Sequence, residues 1–334
     1  MRTVGKQNYL DSPWTILYVL GICLICWIVG YLTSLGYPIY EEKGDTPLWD
    51  LLCRLLPNKL FTYIIGFVLM VGGAFLLHRA NYALVLIREK TFLPFLLYIL
   101  FLSTNPNFFP LKSTSIGVFC LILAIYQLFT FYHNPEATGK AFKSTFIIGL
   151  GSLLWVHIVW FVPLFWLGMY RFRSLTYKTF AASLLGVLTV YWFVLGWSVW
   201  KEDFTLFTAA ASSLSALSLL RFEITEWVEW ISVICMTILA LVASFNIITH
   251  EHEDNLRTRQ FLSFLIIFAL WAFVLFFLNE YSSEEFLHVT CIPASIIIAH
   301  FFSARRNKYT FWLFIFTIVL FPILLFIQLG WNFL

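Results

Sequence analysis

Between Glu41 and Lys59 the chain gathers four carboxylates, Glu41, Glu42, Asp45 and Asp50, followed by two cations, Arg54 and Lys59. Carboxylates at this density can act as a general base on an acceptor hydroxyl, or ligate a divalent metal that neutralises a phosphate leaving group. The same spacing also suits a solvated loop running into an amphipathic helix. Lys112 and Arg221 stand apart from the other basic clusters and join Arg54 and Lys59 as candidates for binding a phosphate through charge-assisted hydrogen bonds. Ordinary interfacial snorkelling is the competing explanation for these cations.

A second group lies where polar side chains are scarce. His157, Glu229, His288 and His300 fall within or at the edges of apolar runs, where such groups are costly and often functional. The stretch from His250 through Glu251, His252 and Glu253 to Asp254 has the residue types of a metal site. Imidazoles at i and i+2 do not share a helical face, however, so it reads as a solvated helix end. Cys23 and Cys26 form a C-x-x-C inside LGICLICWIVG, without the βαβ context of a redox motif, and read as apolar packing. No Walker A, dinucleotide fingerprint, H-E-x-x-H or nucleophile elbow occurs, so nucleotide-driven chemistry is not expected.

The elements that must position these residues follow from composition. The chain is 60% hydrophobic and only 12% charged, too few charges to cover a water-soluble globule of 334 residues. The partner this implies is a lipid bilayer, not nucleic acid, and the fold class is all-α and polytopic, a single transmembrane domain over 1–334. Long apolar runs occupy 15–35, 60–78, 114–132, 179–200, 227–249, 261–279, 286–303 and 309–333. A ninth, Thr91 to Thr104, is short and breaks at Pro106 and Pro110. Thr145 to Tyr170 is too long for one span and too short for two. Lys140 and Lys143 precede it while Arg171, Arg173 and Lys178 follow it, so both its ends are expected on the cytoplasmic side. It reads as a short helical hairpin, 145–170, with His157 at a tip that would wall a cavity.

With nine spans and this hairpin the N-terminus is cytoplasmic, the C-terminus is periplasmic, and 15 of the 21 basic residues lie inside. The longest outside segments are then 36–59 and 201–226. In the first, Leu51, Leu52, Leu55 and Leu56 share one face of an interfacial helix.

Two stretches, HRANYALVLIREKTFLPFLLYILFLS and AFKSTFIIGLGSLLWVHIVWFVPLFWLGMYRFRSLTYKTFAASLLG, resemble an uncharacterised multi-pass inner-membrane protein family of Bacteroidota, over most of residues 1–250. More distantly, a Gly-rich short helix, a polar tip, a second short helix and an Arg cluster look like the middle of GT-C membrane glycosyltransferases. That resemblance implies a GT-C-like core, a polyprenyl-phosphate-linked sugar donor and a catalytic acid in the first outside loop, here Glu41, Glu42, Asp45 or Asp50. Two departures accompany it: the compact acidic motif is missing, and no large outer domain follows. The expected role is therefore in envelope glycan or lipid-linked sugar metabolism. The alternatives are a non-catalytic membrane scaffold or assembly partner, and a lipid or small-solute transporter.

Overall fold

In hydrocarbon a backbone of some 20 apolar residues can satisfy its polar groups by coiling into a helix. The computed structural model describes residues 13–33, 46–56, 58–88, 91–215, 227–279, 283–305 and 307–331, which form helices and no strand. Eight of these helices are long and apolar enough to cross a membrane. They are contained in α1 (Pro13–Thr33), α3 (Lys59–Leu84), α5 (Ser113–Thr130), α8 (Tyr177–Lys201), α10 (Trp227–Thr249), α11 (Leu256–Leu278), α12 (Ser283–Ala304) and α13 (Lys308–Trp331). Shorter helices complete the set: α2 (Pro47–Leu55), α4 (Leu93–Leu102), α6 (Thr138–Ser152), α7 (Val162–Arg171) and α9 (Thr205–Ser215).

The helix α12 is the axis of the molecule. Its most apolar window is 94% buried, against 22% for α8 and α10, so its neighbours shield it from lipid on nearly every side. Pro293 inside it and Pro322 inside α13 are tolerated because adjoining helices can accommodate the freed backbone groups.

Two broken elements pack against this axis. The ten residues of α4 rise only about 15 Å, and the helix stops at Ser103, ahead of a 3-10 turn at Pro106–Phe108 that Asn105 caps by accepting from the Asn107 N–H. The chain then returns through Leu111, whose N–H donates to the Thr62 carbonyl of α3 at 3.1 Å. Phe109 is fully buried between α1 and α3, with its ring against Gly30 and its carbonyl against Gly66. A Cβ at either glycine would collide with it.

The second broken element is the hairpin. Its two ends meet: the His133 N–H donates to the Phe172 carbonyl at 3.0 Å, and Thr176 Oγ1 donates to the Pro135 carbonyl at 3.4 Å. Between them α6 runs out, the chain turns at Leu153–Trp155, and a 3-10 stretch, Val156–Phe161, leads into α7 and back. The ascending helix starts at Thr138, seven residues before the apolar run that marks it in the sequence. Lys140 can sit in its first turn because its ammonium donates to the Thr130 carbonyl at the exposed edge. Where the descending limb is not α-helical, the Trp160 carbonyl accepts from Trp271 Nε1 at 2.9 Å, so irregular backbone is satisfied inside protein. Gly149 and Gly186 let α6 and α8 approach closely, as small residues do between membrane helices.

Candidate functional site

Side-chain chemistry concentrates at the two ends of the bundle. At the end carrying α2, the first turn of α12 presents Glu284 and Glu285, acids well placed against the helix dipole. Glu284 Oε1 accepts from Asn107 Nδ2 at 2.8 Å, and its Oε2 lies 3.5 Å from Lys112 Nζ. Glu285 Oε2 accepts from Trp155 Nε1 at 2.6 Å and lies 3.5 Å from His157 Nδ1. The two carboxylates thus tie the broken loop after α4 and the hairpin tip to the central helix. His288, one turn further along α12, is buried with its ring 4.8 Å from that of Phe108.

Among the described residues, the tip is packed against α5 and α12. Trp155 is fully buried, with Gly117 of α5 against its ring, and His157 is 3% exposed beside Phe286. The expected cavity wall at His157 is a packed contact. The small space nearby, about 20 Å³ bounded by Thr46, Ser152, Val156 and Tyr191, holds about one water. A carboxylate beside an imidazole can serve as an acid–base unit, and of this group it is Glu285, 23% exposed at its side chain, that opens outward.

The other candidates distribute unevenly. Asp50 lies in the first turn of α2 and Arg54 in its last, both exposed and each complementing the helix dipole at its own end. Thr46 caps that helix by accepting from the Trp49 N–H and donates its own hydroxyl to the Leu154 carbonyl, which brings α2 to the hairpin tip. Leu51 and Leu55 point away from the protein while Trp49 is buried. Lys59 opens α3 with its ammonium 5.2 Å from the Tyr31 ring centroid and 5.8 Å from that of Tyr63. Lys112 is held by Glu284. Glu41, Glu42, Asp45 and Arg221, with the side chain of Glu229, lie outside the described residues.

The opposite end carries a cluster that residue types alone did not disclose. Asp254, read from sequence as part of a solvated helix end, has a side chain only 3% exposed. Its Oδ1 accepts from Arg88 Nε at 2.5 Å and its Oδ2 stands 3.2 Å from His300 Nε2. Glu253 adds contacts to Arg88 and Arg305, and Glu251 to Arg259. Burial pushes the Asp254 carboxyl up, but hydrogen bonds and charge from His300 and Arg88 outweigh it and hold it below the ordinary carboxylate range. Hydrogen bonding to Asp254 correspondingly raises the Arg88 guanidinium. Among the described residues, no three His, Cys, Asp or Glu side chains converge as a metal site requires.

Compared with known proteins, the chain matches no protein-family model, no curated protein and no solved structure. It is a multi-pass α-helical membrane protein by its own geometry.

Sequence reasoning passed over Glu284 and Glu285. The available signal was the acidic pair opening the apolar run SSEEFLHVT, a helix-start signature. Nothing comparable announces Arg88 and Asp254, which pair across 166 residues of chain.

Proposed function

We propose that the protein is a bacterial inner-membrane protein of envelope glycan or lipid-linked sugar metabolism, with a GT-C-like core working at the end that carries α2. One observation carries the reading: α2 with Asp50 and Arg54, the Lys59 ammonium, and Glu285 beside His157 share that end, and in sequence α2 directly follows the segment bearing Glu41, Glu42 and Asp45. In this reading an acid of that segment activates an acceptor hydroxyl. Arg54, Lys59 and Arg221 stabilise the phosphate of a polyprenyl-phosphate-linked donor, with a divalent metal as an optional aid. Arg88, Lys140, Lys143, Arg171, Arg173, Lys178, Arg257, Arg259, Arg305 and Lys308 crowd the opposite end, which supports a cytoplasmic placement for it and a periplasmic one for the α2 end.

The test is replacement of Glu41 and Glu42 by Gln and of Asp45 and Asp50 by Asn in one variant. An altered envelope glycan profile, resembling that of a deletion strain, is expected. An unchanged profile, with the variant present at normal levels, overturns the reading.

A specific observation favours a second reading, a non-catalytic scaffold or assembly partner. Lys112 is taken up by Glu284, and Glu285 by Trp155, so these groups already hold the loop after α4 and the hairpin tip to α12. A stable protein partner that co-purifies equally with the wild type and with the four-acid variant would support it.

A further inference from the structure

Lys59 differs from the other cations of its end. Arg54 is exposed and Lys112 has a carboxylate partner, whereas no hydrogen-bond acceptor reaches the Lys59 Nζ, which is shielded from solvent by its surroundings. A snorkelling lysine places its ammonium in water; this one lies against the rings of Tyr31 and Tyr63. Cation–π contact compensates part of the lost hydration, yet a shielded ammonium without an acceptor remains costly. An anionic group from outside the chain would supply the missing acceptor.

Directly below Lys59 the same two tyrosines enter the wall of a groove between α1 and α3. It has a volume of about 370 Å³ and is lined by Leu24, Trp27, Tyr31, Tyr63, Ile64 and Phe67 among others. That falls in the range of about 300–1,000 Å³ in which small-molecule sites lie. The groove opens sideways, where Leu24 and Ile64 are each 49% exposed on helices long enough to cross a membrane. An apolar trough along two spans with one unneutralised cation at its head matches an amphiphile in both parts: a hydrocarbon chain for the trough and a phosphate for the ammonium.

We propose that the groove between α1 and α3 is a binding site for a membrane lipid with an anionic phosphate headgroup, its chain against Trp27 and Phe67 and its phosphate on Lys59. Phe109 gives the site a firm back wall, since its ring packs 4.8 Å from that of Trp27 and against Gly30 while its carbonyl sits against Gly66. The inference shares Lys59 with the proposed function but does not rest on it, because it requires no reaction and is read from lipid retention and not from glycan composition.

The test uses the full chain in nanodiscs of equimolar phosphatidylglycerol and phosphatidylcholine, with the lipids retained after extraction into detergent counted by native mass spectrometry. The wild type is expected to retain phosphatidylglycerol preferentially. Lys59→Gln is expected to lower that preference about fivefold, the worth of one cation at an anionic surface, and Lys59→Arg to keep it. Leu24→Trp, which adds bulk at a half-exposed position of the groove, is expected to reduce retention of both lipids. A melt of each variant confirms that it is folded. A wild type without headgroup preference makes the groove an ordinary annular seam and overturns the proposal. So does a Lys59→Gln variant that keeps the preference, or a Leu24→Trp variant that retains lipid as before.

Discussion

At the residue scale the two ends of the bundle make opposite uses of charge. Asp254 is desolvated, which alone would raise its pKa, but Arg88 and His300 more than offset this and leave it depressed from its ordinary value of 3.8. A carboxyl of this kind contributes stability that is fully present above the unfolded-state value and is lost as pH falls through the folded-state value. The melting temperature in detergent is therefore expected to drop as pH falls below 3.8, and Asp254→Asn should flatten that drop. Identical pH profiles for the two proteins would refute the assignment. Arg88→Met leaves the buried carboxylate with His300 alone. Breaking a buried pair costs about 3–5 kcal/mol; the Arg88 side chain is 34% exposed, so solvent screening reduces the expectation to about 2 kcal/mol. At the α2 end, the Trp155 indole donates to Glu285 at 2.6 Å from a fully buried ring. Trp155→Phe should cost about 2 kcal/mol, the range for a hydrogen bond to a charged group. A double-mutant cycle with Glu285→Leu should show coupling of about 1–2 kcal/mol, and strict additivity would mean that the contact does not fasten the tip.

At the scale of elements, the hairpin depends on a close approach. A Cβ built on Gly117 of α5 would stand 2.5 Å from the Trp155 ring, whose indole N–H is held by Glu285 and which also packs against Phe286. Gly117→Val should overpack this contact at about 1–3 kcal/mol, measured as a lower melting temperature, whereas Gly139→Ala, with open space beside it, should melt as the wild type does. Much of this architecture is legible in the sequence. Apolar length marks the spans, and basic residues flanking 145–170 mark a segment that returns to the side it left, because hydrocarbon imposes those constraints locally. The fastenings are not legible. Glu285 meets Trp155 across 130 residues, and Phe109 reaches Gly30 and Gly66 through a broken loop whose path no periodicity encodes. The tip was expected beside a cavity because irregular backbone within a membrane needs protein or water around it. Residue types could not say which, and side chains from α5 and α12 supply the answer at Trp155.

At the scale of the whole molecule, one buried helix organises two chemically distinct ends. Because α12 is nearly all buried, its first turn and its last can bind partners from several other helices, Asn107, Lys112 and Trp155 at one end and, through His300, Asp254 at the other. The return of the hairpin decides which loops share an end. The contacts between His133 and Phe172 and between Pro135 and Thr176 require residues 136 and 177 to lie on the same side of the membrane, with residue 202 on the other, one 25-residue helix away. Were 138–171 a single crossing, 136 and 202 would share a side instead. Single cysteines at the exposed positions Glu136, Tyr177 and Glu202 separate these arrangements. Cys53→Ser removes the native cysteine that lies outside the spans. In the orientation proposed from the positive-inside rule, a membrane-impermeant maleimide added to intact cells is expected to label Glu202→Cys and to spare Glu136→Cys and Tyr177→Cys until the membrane is opened. Labelling of 136 and 177 together, with 202 protected, would invert the proposed orientation and leave the hairpin intact. Labelling of 136 and 202 together, with 177 protected, would remove the hairpin itself, and with it the position of every helix that follows.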